Sequence, residues 1–196
     1  MTGVALRPVR EGDVEGLAQL HADAWQQAYA GIIPAEILPR FGREQRRLFW
    51  RGALEQSERH PWVDVAVAAP AAGEESGEGD DRTGGEEEIL GFVWSRLTGQ
   101  PESGFEAEIV AINVAPRHWR RGIGRRLMAA AVDRLAAVAA GGVYLWVLED
   151  NRAGRAFYDA LGGRIVDHGS ESFGDTVLPT LAYAWKPLAA LQEATR

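Results

Sequence analysis

The sequence predicts an α/β (α+β) fold: a single domain with a mixed, mostly antiparallel central sheet and helices on both faces. Three observations carry that prediction. Residues 107–131, AEIVAINVAPRHWRRGIGRRLMAAA, read as a strand, an arginine-rich turn and a helix in immediate succession. Short runs rich in valine and aromatic residues at 62–69, 89–97 and 143–148 recur between turns and helical patterns. The chain has 196 residues, 46% apolar and 25% charged, which suits one substantial core.

The elements follow in order. Residues 4–9 form a first strand, and Pro8 places it at a sheet edge because proline cannot donate to a ladder. Asp13 is an N-cap candidate for a helix running to about residue 30, with Leu17, His21, Ala24 and Ala28 along one face. Gly31 breaks the pattern, and Pro34 suits the first turn of a second helix that residues 43–58 form or continue. Pro61 closes that segment, and residues 62–69 give a second strand. Residues 73–88 hold eight carboxylates, one arginine and five glycines, so they are expected to be a disordered acidic loop with nothing to bury.

Residues 89–97 are the third strand, with Gly91 marking a bulge or a close approach. Residues 98–104 turn the chain into a central strand at 105–114, which Pro116 ends. The helix at 123–140 is expected to stop at Gly141 and Gly142. VYLWVL at 143–148 is continuously apolar, as a strand buried on both faces should be. A helix over 151–161, a short strand at 164–167, a loop at 168–179 and a strand at 180–185 complete the domain, taken as residues 4–188.

Composition excludes several chemistries. There is no cysteine, hence no disulfide framework, thiolate metal site or cysteine nucleophile. His21, His60, His118 and His168 are too scattered for a metal site, so none is expected. Net charge is −7, and the acidic run at 73–88 accounts for all of it, which disfavours nucleic acid as a partner. The N-terminus lacks a signal-like pattern and no 18-residue apolar run exists, so a cytoplasmic location without membrane contact is expected. GxxxxGK[ST] and GxSxG are absent, and Gly122-Ile-Gly124 lacks the third glycine of a dinucleotide fingerprint.

The turn at 119–125 carries the chemistry. Gly122 and Gly124 let the backbone approach a ligand, a helix begins with free N–H groups, and Arg120, Arg121, Arg125 and Arg126 surround them. Such a turn is an anion site about the size of one pyrophosphate. The run Val114-Ala-Pro-Arg-His-Trp-Arg-Arg-Gly-Ile-Gly-Arg-Arg-Leu127 closely resembles the pyrophosphate-binding motif of the GNAT acetyltransferase superfamily, with Trp119 where Gln or Arg is usual. A second run, Asn151 to Gly163, resembles the family's Asn-x-x-Ala-x-x-x-Tyr-x-x-x-Gly-Phe segment, with Gly154 for Ala and Gly163 for the aromatic residue.

The resemblance implies a GNAT-like acyl-coenzyme A N-acyltransferase fold and acetyl-coenzyme A as acyl donor. It assigns coenzyme binding to Ile112, Asn113, Val114, Trp119, Arg120, Arg121, Gly122, Ile123, Gly124, Arg125, Asn151 and Tyr158. Tyr158 is the expected acid for the leaving thiolate, and Glu108 the expected base for the amine, with Glu106 and Asp64 as alternatives. Trp25, Tyr29 and Ile33 are expected to wall the acceptor site. The expected activity is transfer of an acetyl group to a primary amine of a small molecule or a protein N-terminus, by direct attack in a ternary complex. A non-catalytic acyl-coenzyme A sensor or scaffold is the alternative. The partner is then an amine or peptide N-terminus, with a homodimer left open.

Overall fold

The computed structural model describes residues 3–55, 62–69, 87–98 and 104–196. Most of the run at 73–88, expected to be a disordered loop, lies outside them, as do Pro61 and residues 99–103 of the expected turn. Seven strands make one sheet: β1 (Val4–Pro8), β2 (Trp62–Ala68), β3 (Ile89–Leu97), β4 (Ala107–Val114), β5 (Val143–Leu148), β6 (Arg164–Phe173) and β7 (Thr176–Trp185). Their spatial order is β1-β2-β3-β4-β5-β7-β6. All neighbours are antiparallel except β4 and β5, which run parallel. β1 lies at an edge, where Pro8 leaves no ladder bond missing.

Helices α1 (Val14–Tyr29) and α2 (Arg43–Glu55) cover one face. There Leu17, Leu20 and Trp50 pack on Val63, Val65, Val67 and Phe92. Helices α3 (Ile123–Ala137), α4 (Arg152–Ala160) and α5 (Leu188–Thr195) close a second core around Leu127, Val132, Tyr158, Leu161 and Leu191. The alternation along β2 is the period-two rule at work: Val63, Val65 and Val67 face one core and Ala66 the other. Gly91 answers to a close approach. A Cβ there would stand 2.9 Å from both the Asn113 carbonyl oxygen and Leu127 Cδ1, where α3 presses on the sheet. The β2–β3 register also shifts beside it, between Ala66 and Val67.

Five expectations need correction. Pro34 starts no α-helix: residues 35–37 form a turn, a 3-10 segment spans Leu38–Phe41, and α2 begins only at Arg43. Asp13 stands at the N-cap position of α1 as expected, but its side chain makes no cap bond to that helix. Its carboxylate accepts the Arg10 N–H at 2.7 Å and two Arg7 guanidinium bonds at 2.7 and 2.8 Å, closing the turn before the helix. α3 stops at Ala137, short of Gly141, and Ala139 takes the left-handed conformation with φ +59°. β5 is not buried throughout, since Trp146 is 41% exposed. The loop expected over 168–179 is instead the second half of β6, a turn at 174–175 and the start of β7: the short strand expected at 164–167 runs on to Phe173, paired with β7 along its length. Its residues are nearly all exposed, so no apolar alternation marked it. α5 extends the fold past residue 188, sealing Leu188 and Leu191 against α3.

Candidate active site

The site opens where the sheet divides. β4 and β5 pair at only two positions, Ala107↔Val143 and Glu108↔Tyr144. Beyond these, β4 stays with β3 as far as Val114, and β5 stays with β7 as far as Leu148. The parallel strands therefore part after Glu108, and the β4 edge from Ile109 onward has no strand partner on that side among the described residues. A bulge at Val110, where Trp94 faces Ala111 and Ser95 faces Ile109, adds local twist to β4. The resulting groove has a volume of about 1340 Å³ and runs from the start of α3 to the facing ends of α1 and α2.

At one end lies the anion turn. Arg120 at φ +63° and Gly122 at φ +78° are left-handed, which folds the chain into a concave strip ahead of α3. Gly122 is the N-cap of α3 and supplies no side-chain cap. Among the described residues no backbone acceptor serves the N–H groups from Arg120 to Arg125, and the first such bond is from Arg126 to the Gly122 carbonyl at 3.1 Å. Six consecutive donors therefore remain at a helix N-terminus, beside the Arg120 and Arg125 side chains. Trp119 donates its indole N–H to the Val114 carbonyl at 2.7 Å, tying the turn to the end of β4. Glu88 holds the same turn from outside through Arg117 at 2.5 Å and His118 at 3.2 Å. Those contacts, the Arg117 hydrogen bond first, keep its carboxyl below the usual carboxylate range.

α4 brings the second motif to the groove. Asn151 caps it, its Oδ1 accepting the Gly154 N–H at 2.9 Å. A Cβ on Gly154 would come within 2.8 Å of the Asn151 amide nitrogen, so glycine leaves that cap its room. A Cβ on Gly163 would stand 2.7 Å from the Trp185 ring, which itself donates to the Leu161 carbonyl at 2.8 Å. Trp185 thus fills the volume that an aromatic residue at 163 would take. Tyr158 is 8% exposed and lines the groove, and its hydroxyl has no hydrogen-bond partner among the described residues. Burial, with Tyr29 nearby, holds that hydroxyl above the usual tyrosine range, so it stays protonated.

Glu108 lines the groove at the point where the strands part. Arg96 holds its Oε2 through Nε at 2.8 Å and Nη2 at 2.6 Å, leaving Oε1 free of described partners. The alternatives lie elsewhere. Glu106 accepts the Gly142 N–H at 3.1 Å, and Asp64 is buried against Arg134 of α3. Neither lines the groove.

Of the expected site residues, Ile112, Asn113, Val114, Trp119, Arg120, Gly122, Ile123, Gly124, Arg125, Asn151, Tyr158, Glu108, Trp25 and Tyr29 all line this one groove. Two do not. The Arg121 side chain is exposed outside it, leaving only its backbone N–H for the anion turn. Ile33 is 2% exposed and packs with Ile37, Leu38, Leu148 and Phe173, so it belongs to the core. Sequence reasoning missed His21, Arg46, Phe49, Trp94, Trp146 and Glu171, which also line the groove. For Arg46 a signal existed: it lies three and four residues before Phe49 and Trp50, on the inward stripe of α2. Among the described residues no helix is long and apolar enough to cross a membrane, and no group of three metal-ligating side chains occurs.

The family model described as "Acetyltransferase (GNAT) family" matches residues 20–162. The chain is 23% identical over 189 residues to the uncharacterized N-acetyltransferase YuaI of Bacillus subtilis, covering 96% of each protein. It is 33% identical over 112 residues to a mycothiol acetyltransferase of Kocuria rhizophila, which matches 57% of this chain but spans only 34% of that longer protein. In fold it is similar to the PaiA N-acetyltransferase of Thermoplasma acidophilum, solved in complex with coenzyme A. That match has a TM-score of 0.66 at 19% identity and covers 94% of this chain and 99% of the other.

Proposed function

Because the chain belongs to the acetyltransferase (GNAT) family, we propose that it moves an acetyl group from acetyl-coenzyme A to a primary amine by direct attack in a ternary complex. One observation carries the reading. A single groove is lined by Arg120 and by Gly122 to Arg125 of the anion turn, whose N–H groups have no backbone acceptor among the described residues, by the β4 edge that β5 leaves, and by Tyr158.

The residues present suit the donor. The N–H groups from Arg120 to Arg125, with the Arg120 and Arg125 side chains, match a pyrophosphate in charge and size. The backbone of Ile112, Asn113 and Val114 offers ladder-type hydrogen bonds to the amide-bearing arm of the coenzyme. When bound, acetyl-coenzyme A supplies an activated acetyl thioester. Glu108 then serves as proton acceptor for the amine through Oε1 or a water, while Arg96 fixes its other oxygen. Tyr158 holds its proton until charge develops on the departing sulfur and donates at that moment. Trp25 and Tyr29 wall the acceptor, which is a small-molecule amine or a peptide N-terminus. Positioning of the two reactants accounts for most of the acceleration.

The test is release of free thiol from acetyl-coenzyme A against a panel of amino acids, peptides, polyamines and aminoglycosides. Amine-dependent release supports the reading. Tight coenzyme binding with no release from any amine would favour a sensor over an enzyme.

A further inference from the structure

One end of the groove holds a buried cation with no counter-ion among the described residues. Arg46 is 8% exposed. Its guanidinium carbon lies 4.0 Å from the Trp25 ring centroid and 5.3 Å from that of Phe41. Its Nε and Nη2 are sealed from solvent with no hydrogen-bond partner among the described residues, which leaves Nη1 as the guanidinium nitrogen open to a ligand. No ion pair among the described residues includes it.

The groups around it do not supply the missing charge. His21 is 4% exposed and has its Nδ1 sealed and unpartnered. Burial, and then the Arg46 charge, push its pKa down to about 2, so it is a neutral neighbour. Glu108 is already held by Arg96, and Glu171, at the groove's edge on β6, is exposed and outside every described ion pair. The Tyr29 hydroxyl is raised by burial above its usual range and stays neutral. Arg46 is itself lowered to about 10 by burial and remains charged near neutral pH. Contact with the Trp25 face offsets part of the cost of burying that charge, yet leaves the N–H donors unsatisfied. Buried donors of this kind are rare unless something binds to them.

We propose that Arg46 anchors a carboxylate of the acceptor, so that the acceptor class is small amines bearing one carboxylate and an apolar or aromatic body. The amine's fate rests on the acetyltransferase reading above; the anion anchor does not. A single guanidinium among Trp25, Tyr29, Phe49 and Trp94 matches a monoanion, because a dianionic phosphate would leave a second charge uncompensated in an apolar enclosure. Polyamines and aminoglycosides, with several positive charges, are repelled at this end. The wall is continuous: Arg46 stacks on Trp25, and Trp25 meets Tyr29 at 4.8 Å between ring centroids. Tyr29 in turn neighbours Asn151 and Tyr158. A carboxylate on Arg46 therefore leaves the amine end of a compact molecule directed toward Tyr158.

The test compares phenylacetate, 3-phenylpropionate and 4-phenylbutyrate, each against its own amide, by calorimetry on the full chain with and without coenzyme A. Binding needs no turnover, so it is read independently of the acetyltransferase reading. At least one acid is expected to bind 10-fold or more tighter than its amide. Arg46→Met, which keeps the length and apolar packing of the side chain, is expected to erase that preference while the melting temperature holds or rises. Arg46→Lys should restore part of it. Equal binding of acids and amides, or a preference that survives Arg46→Met, overturns the proposal. Turnover of L-phenylalanine and L-phenylalaninamide reports separately on acetyl transfer: if both react equally well, the enzyme reading stands and the anchor falls.

Discussion

Tyr158 and Glu108 reach the groove from different elements and are held in different ways. Tyr158 is fixed by packing: its ring lies 5.5 Å from Phe157 and 5.6 Å from Tyr183, so Tyr158→Phe keeps the packing and removes one hydroxyl. Turnover is expected to fall about 10- to 1000-fold, the scale of acid–base assistance, with coenzyme affinity nearly unchanged. Steady-state kinetics beside a coenzyme titration separates the two effects, and normal turnover would reduce Tyr158 to a wall of the groove. Glu108 is fixed by charge, through Arg96. Glu108→Gln is expected to slow the reaction most at low pH, where the amine is largely protonated, and least near the amine's own pKa. A pH–rate profile checks this, and a uniform loss across pH would assign Glu108 to structure. Both residues were reached through the family resemblance: Tyr158 by its place in the Asn151–Gly163 run, Glu108 by its place on the central strand just before the stretch expected to contact the coenzyme. Arg46 was marked only by its spacing to Phe49 and Trp50; Arg43, Arg47 and Arg51 on the same helix are alike in kind, and packing shows that Arg46 is the one turned inward.

At the scale of single elements, the N-terminus of α3 is the strongest local feature. Its dipole, its open N–H row and Arg125 all favour the same anion. Arg125→Glu is expected to weaken coenzyme A binding by about 10-fold or more, through lost attraction and new repulsion; unchanged affinity by calorimetry would remove Arg125 from the site. The turn before α1 is a second local device. Burial alone would raise the Asp13 carboxyl, but the Arg7 bonds and the Arg10 N–H outweigh it, and the net shift is downward. A carboxyl with a depressed folded-state pKa stabilises fully above its unfolded value of about 3.9, and the benefit is lost as pH falls through the folded value. Asp13→Asn is therefore expected to cost about 2 kcal/mol at pH 7. The gap to the native chain should close as denaturation is repeated below pH 4. A gap that persists at low pH would mean that packing, not charge, sets the cost. Elements with an apolar rhythm, such as β3 and β5, matched the expected bounds in full. β6 did not, because RIVDHGSESF presents polar groups on both faces and is held chiefly by its ladder to β7.

For the whole molecule, the division of the sheet is the feature on which function depends. β4 is gripped by β3 and α3, and β5 by β7, so each half of the sheet is anchored by its own neighbours. The antiparallel character of the sheet was readable from short strands and turns. The insertion of β7 between β5 and β6 was not, since pairing across distant segments leaves no local mark. Splayed sheet halves were implied by the family resemblance, but the point at which they part, after Glu108 and beside the Val110 bulge, had no local mark. The acidic run contributes at its end: Glu87 pairs with Arg7 at 2.7 Å and Glu88 braces the anion turn, so its last two residues are structural.

The central claim is that acetyl-coenzyme A lies in the parted sheet with its pyrophosphate on the turn before α3. Hydrogen–deuterium exchange with and without the coenzyme tests it most directly, because the donors in question are backbone amides. Added protection is expected to concentrate at residues 109–114 and 120–125, with little change in β1 or β6. Coenzyme binding that leaves those two segments unprotected, or that protects another surface instead, would contradict it.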